Sequence, residues 1–193
     1  MFTIILITQL PELFKEHKKM TELSTETLQK IGMQSILLDE ISRSICFSRK
    51  LEGEAGLSKR FIKSSLLKQS VIVWCQVFGS HNEDLHWSKV SPNQSVVKPF
   101  GQNNILAVTG FALNEWENYH KTLKDLRDKF FAHFDMDEFS TRIPCMDQAL
   151  MITEAYRDWL YEMLLKAMKS NPIKINFMKT KEFNKKIERE WEA

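Results

Sequence analysis

The sequence predicts an all-α protein, an antiparallel four-helix bundle with extra segments at its N- and C-terminal ends. Two observations carry this. Four long stretches repeat apolar residues at helical spacing, and the links between them are short except for one. The totals agree. A length of 193 residues suits a single domain, with a helical core over about 24–169 and a tail over 171–193. Hydrophobic residues make up 43% of the chain, and 13 Phe and 5 Trp among them supply bulk for one core. A chain of this size buries roughly 70% of its unfolded surface and needs no disulfide staples.

Residues 2–7 (FTIILI) are an apolar run open to a strand or a helix reading, followed by Pro11 and a charged turn from Glu12 to Lys19. The run lacks a basic flank and a small-residue cleavage site and is far too short to span a bilayer, so it reads as a packed first segment. No later stretch is apolar for long enough to be a membrane helix. The three cysteines, Cys46, Cys75 and Cys145, are few and odd in number, which fits buried, reduced thiols in a cytoplasmic protein.

The first long helix is expected from about Ser24 to Leu51. Leu28, Ile31, Leu38, Ile41 and Ile45 share one face, with Ser35 in the turn that lacks an apolar residue. Glu52 to Gly56 breaks the pattern. The second helix runs from Leu57 to Phe78 on a stripe of Leu67, Val71, Trp74 and Phe78, widened by Leu66, Val73 and Val77, and Gly79-Ser80 ends it. Residues 80–104 contain Pro92, Pro99 and Gly101 and show no sustained period. Connections this long often carry function. This one holds Asp84-Leu85-His86-Trp87, whose plainer role is an aromatic lid on the bundle.

The third helix is expected from Val108 to His133. Ala112, Trp116, Tyr119, Leu123, Leu126, Phe130 and His133 recur at alternating spacings of four and three, the pattern of a bundle seam. Pro144 suits the first turn of a fourth helix over about 144–169, with a stripe of Ala149, Ile152, Tyr156, Leu160, Met163 and Ala167. Asn171-Pro172 stops it. A short helix from Lys181 to Trp191 follows in a Lys-rich tail, where glutamates balance the lysines as on a solvated face. Asp39-Glu40 likewise reads as a solvated edge beside an apolar stripe.

A net charge of +2 is too small for a protein that coats nucleic acid, so any RNA contact is local. The absence of a Gly-rich phosphate loop argues against an NTPase. Cys75, His81 and His86 match no recognised metal-ligand spacing. Neither a metal nor a cofactor is expected.

One stretch concentrates chemistry: Leu126-Arg127-Asp128-Lys129-Phe130-Phe131-Ala132-His133-Phe134-Asp135. It sets a permanent cation and a near-neutral base among three phenylalanines. Arg127-Asp128-x4-His133 resembles the Arg–polar–x4–His motif of the HEPN superfamily. Trp74-Cys-Gln-Val-Phe-Gly79, then His86-Trp87-Ser-Lys, then LRDKFFAHFD (126–135) are similar in order and spacing to the HEPN subgroup named after a phage abortive-infection protein of type U. The similarity covers most of 24–169. It implies a metal-independent endoribonuclease, often a toxin or antiviral defence effector, that works as a homodimer and is held in check by an antitoxin or another defence partner. Some members carry a Tyr two residues after the His, which a nucleotidyltransferase antitoxin modifies; this chain has Asp135 there. The family also includes inactive bundles that bind RNA or a protein partner.

The residues suit the chemistry. RNA carries its own nucleophile, the 2′-hydroxyl, so the protein need only move a proton and stabilise a crowded phosphorane. His133 is the candidate acid or base, Arg127 the candidate for the developing charge, and Asp128 a group that orients either one. In a regular helix Arg127 and His133 stand about 120° apart in rotation and about 9 Å apart in rise, so one chain does not bring both onto one phosphate. Phe131 and Phe134 beside the Arg form an apolar patch, which predicts a twofold dimer with a composite cleft. His86 and Trp87 are the further candidates for RNA contact.

Overall fold

The computed structural model describes residues 23–53, 56–90, 97–131, 143–168 and 177–192. The described residues form six α-helices, one 3-10 turn and one π-helical turn, with no strand among them. No helix among them is long and apolar enough to cross a membrane. The segment 2–19 lies outside the described residues.

Helix α1 (Thr25–Lys50) starts where Ser24 caps it, the hydroxyl accepting from the Thr27 N–H at 3.1 Å. Its buried face runs Ile31, Gln34, Leu38, Ile41, Ile45, so the turn without an apolar residue is filled by Gln34 rather than by Ser35. Ser35 stays on the flank and donates to its own helix at Gly32 O. Gln34 is tolerated in the core because its amide is satisfied. Nε2 donates to Leu85 O at 3.0 Å, and Oε1 accepts from the Tyr156 hydroxyl at 2.8 Å.

Helix α2 (Leu57–Phe78) spans the residues its pattern predicted. Its first half is largely exposed, with Leu57 and Phe61 in solvent, and its second half is core from Ser70 onward. Gly79 closes it at a point where a side chain has no room, since a Cβ would run into the Cys75 carbonyl oxygen. The connection that follows has its own 3-10 turn, Trp87–Lys89, capped by His86.

The third predicted helix is two helices. Helix α3 (Gln102–Thr109) begins inside the stretch expected to be irregular and ends at Gly110, whose φ of 71° places it in the left-handed region. Helix α4 (Leu113–Asp125) then restarts, with Glu115 accepting from the Ala112 N–H at 2.7 Å. Ala112 is therefore an exposed cap and not a seam residue, whereas Trp116, Leu123 and Leu126 are buried as the pattern requires. The winding changes after Asp125 to a π-helical turn over Leu126–Phe131.

Helix α5 (Asp147–Met168) starts three residues after Pro144. Ala149, Ile152, Tyr156, Leu160 and Met163 are all fully buried, and the side chain of Ala167 lies outside the described residues. Helix α6 (Thr180–Glu192) covers α1 and α5, burying Phe183 and Ile187. Its dock revises one expectation. Asp39 is no solvated bystander but accepts from Arg157 NH1 at 2.7 Å, and the buried Arg157 guanidinium lies 4.0 Å from the Phe183 ring centroid. Helix α1 packs along α2 and α5, α3 lies on α5, and the π turn lies against α2. The core is continuous through them.

Candidate functional site

Arg127 is the first fully placed member of the motif. It sits on the π turn, with its side chain about one-fifth exposed, and two carboxylates hold it. Nε donates to Asp128 Oδ1 at 2.7 Å and NH1 donates to Glu83 Oε1 at 3.0 Å. The hydrogen bond to Asp128, ahead of the cost of burial, raises the guanidinium pKa above its ordinary value. The structure thus brings Arg127 and Asp128 together and adds Glu83, 44 residues earlier, which sequence reasoning missed. No local signal marks Glu83, because it meets Arg127 only when the connection after α2 folds back on α4.

His133 and Phe134 lie outside the described residues, as does the side chain of Phe131. The separation reckoned for a regular helix does not describe this stretch, because i→i+5 winding over Leu126–Phe131 replaces the α-helical repeat.

His86 and Trp87 are placed, but as part of the fold as well as of a cavity. His86 is buried, and the Tyr156 hydroxyl reaches Trp87 O at 3.3 Å. Trp87 meets the Phe100 ring edge-on at 5.7 Å, as a lid would. On its other side the connection forms a pocket of about 570 Å³ with α4 and the end of α2, lined by Phe78, His86, Trp87, Trp116, His120 and Lys124 among others. Lys124 lies one turn before Arg127. Glu83, between His81 and His86, ties the pocket loop to the Arg127 guanidinium.

Two histidines of this pocket are held neutral. The Ser88 backbone N–H donates to His86 Nδ1 at 3.3 Å, so the hydrogen of the neutral ring is on Nε2. Burial, reinforced by His81 and His120, brings its pKa down to about 4. His120 Nε2 stands 2.8 Å from Phe78 O and 3.0 Å from Gly79 O. Carbonyls only accept, so Nε2 carries the hydrogen and Nδ1 is the acceptor. Burial lowers this pKa too, against the pull of the two carbonyls. His81 packs on His86 with ring centroids 4.4 Å apart and shares the Ser88 hydroxyl. His120 was not singled out from the sequence, although Trp116-x3-His120-x3-Lys124 places all three on one helical face.

Among the described residues no group of three or more His, Cys, Asp or Glu side chains is arranged to hold a metal ion. Cys75 donates to Leu123 O at 3.6 Å, and burial pushes its thiol pKa up to about 12. It is the one buried thiol of the three, since Cys46 is half-buried and Cys145 is exposed, against the expectation that all three are buried.

No family model, curated protein or solved structure matches this chain. The functional reading therefore rests on the residues themselves.

Proposed function

We propose that the chain is a HEPN-type, metal-independent endoribonuclease, built on a HEPN-like four-helix bundle and acting in the cytoplasm as a toxin or antiviral defence effector. The observation that supports it is the Arg127 guanidinium, held by two carboxylates on a π turn. Such turns recur at functional sites, and a pre-oriented cation is what a phosphorane needs. Arg127 stabilises the charge on the phosphoryl oxygens, and His133 moves the proton of the 2′-hydroxyl. No cofactor enters the reaction. Two chains pack around Phe131 and Phe134, so that each gives an Arg127 and a His133 to one cleft, and an antitoxin or defence partner restrains the dimer.

Purified protein should cut single-stranded RNA in excess EDTA and leave 2′,3′-cyclic phosphate ends. Arg127→Ala and His133→Ala should each lower the rate by about 10²-fold or more. A requirement for divalent metal, or equal cutting of DNA, overturns the reading. Phe131→Glu should abolish both dimer and cleavage with helicity unchanged; a fully active monomer refutes the composite cleft.

The same ion pairs favour a second reading. A guanidinium already neutralised by Glu83 and Asp128 has less charge to lend a phosphate, as in an inactive bundle that binds RNA or a protein partner. In that case wild type and His133→Ala bind alike, and neither slows the growth of cells expressing it.

A further inference from the structure

The pocket beside Arg127 combines three kinds of group. Phe78, Trp87 and Trp116 supply aromatic wall, and Lys124 supplies a cation. His86 and His120 supply a hydrogen-bond donor and an acceptor that carry no charge at neutral pH. A pocket for a bare anion would do better with charged imidazolium rings. Neutral rings of opposite hydrogen-bonding sense match an uncharged heterocycle, whose edge presents both donors and acceptors. Stacking on aromatic side chains serves the same ligand, because every base presents a π-face. The volume of about 570 Å³ lies within the range of roughly 300–1,000 Å³ usual for such sites.

We infer that this pocket takes one nucleotide, the base among His86, His120, Trp87 and Trp116 and the phosphate on Lys124. Lys124, in the last turn of α4, stands three residues before Arg127 on the π turn that continues it, so a strand anchored here passes its next phosphate toward the Arg127 guanidinium. In taking that strand to be RNA, the inference rests on the nuclease reading above. A free nucleotide presents the same chemistry, and the experiment separates the two sources.

The full chain is titrated calorimetrically in EDTA with the four nucleoside 5′-monophosphates, the matching nucleosides, inorganic phosphate, and a short single strand with 2′-O-methyl riboses that cannot be cut. At least one nucleotide should bind one to one in the millimolar range or tighter. Its nucleoside should bind about tenfold more weakly, and phosphate should not compete. Lys124→Gln, outside the core, should bring nucleotide affinity down to that of the nucleoside and leave the nucleoside unchanged. His86→Gln should weaken both alike, provided its circular dichroism matches wild type. No nucleotide binding by folded protein overturns the inference, as does Lys124→Gln binding as wild type does, or phosphate binding as tightly as the nucleotide. A methylated strand that fails to displace the nucleotide overturns RNA as the source. Nucleotide binding by a protein that cuts no RNA sinks the nuclease reading and leaves the pocket standing. Cleavage in EDTA undiminished in Lys124→Gln, with no nucleotide bound, does the reverse.

Discussion

Replacing Gln34 by Met tests whether the pocket loop is held from behind. Gln34 and Tyr156 are both fully buried, and their side chains meet at 2.8 Å. The Gln34 amide also donates to Leu85 O at 3.0 Å and to His86 O at 3.3 Å, which pins the residues leading into the 3-10 turn. Met keeps the length and nearly the volume of Gln, so cavity terms are small and the loss is polar. Three hydrogen bonds at about 0.5–1.5 kcal/mol each disappear. Tyr156 retains a longer bond to Trp87 O at 3.3 Å, which offsets part of the loss. The expected cost is about 2–3 kcal/mol. Urea unfolding followed by circular dichroism should show it as a midpoint lower by roughly 1 M at an unchanged slope. The cycle with Tyr156→Phe should reveal coupling of at least about 0.5 kcal/mol. A cost below about 1 kcal/mol, or additivity of the two single changes, refutes the claim that this relay anchors the loop.

Stability should also fall as pH drops from about 6.5 to about 4. His86 is held neutral in the folded state with its pKa lowered to about 4, so the unfolded chain binds the extra proton in that window. The contribution is full above the ordinary histidine value and lost by the folded one, on the order of 3 kcal/mol. It should be missing from His86→Gln in the same urea series, and an unchanged pH profile would count against it. At the dock of α6, Arg157 NH1 reaches Asp39 while Nε and NH2 have no hydrogen-bond partner among the described residues. Arg157→Met should therefore cost less stability than Asp39→Ala, which strands the buried cation, by at least about 1 kcal/mol in thermal unfolding; the opposite order would refute it.

How much was legible depended on the range of the interaction. Residues in α1, α2 and α5 bury a stripe that recurs every three or four positions, and this repeat is present in the chain before any packing occurs. The join between α3 and α4 was not legible, because glycine is tolerated within a helical pattern and only its left-handed backbone ends the helix. The π turn was hidden for a related reason, since Leu126-Arg127-Asp128 is compatible with either winding.

The sequence alone determined that α1, α2, α5 and α6 are helical, which of their faces seek a core, and that Arg127 has an acidic residue beside it. The tertiary structure decided that Gln34 belongs to the core, since its partners stand 51, 52 and 122 residues away in the chain. It also decided that Glu83 joins Arg127, and that His86, His120 and Lys124 share one pocket. Apolar burial is additive along a helix and leaves a local period, whereas a buried polar group is satisfied by one particular partner. That partner is set by how the helices dock, and no spacing within a single segment encodes it.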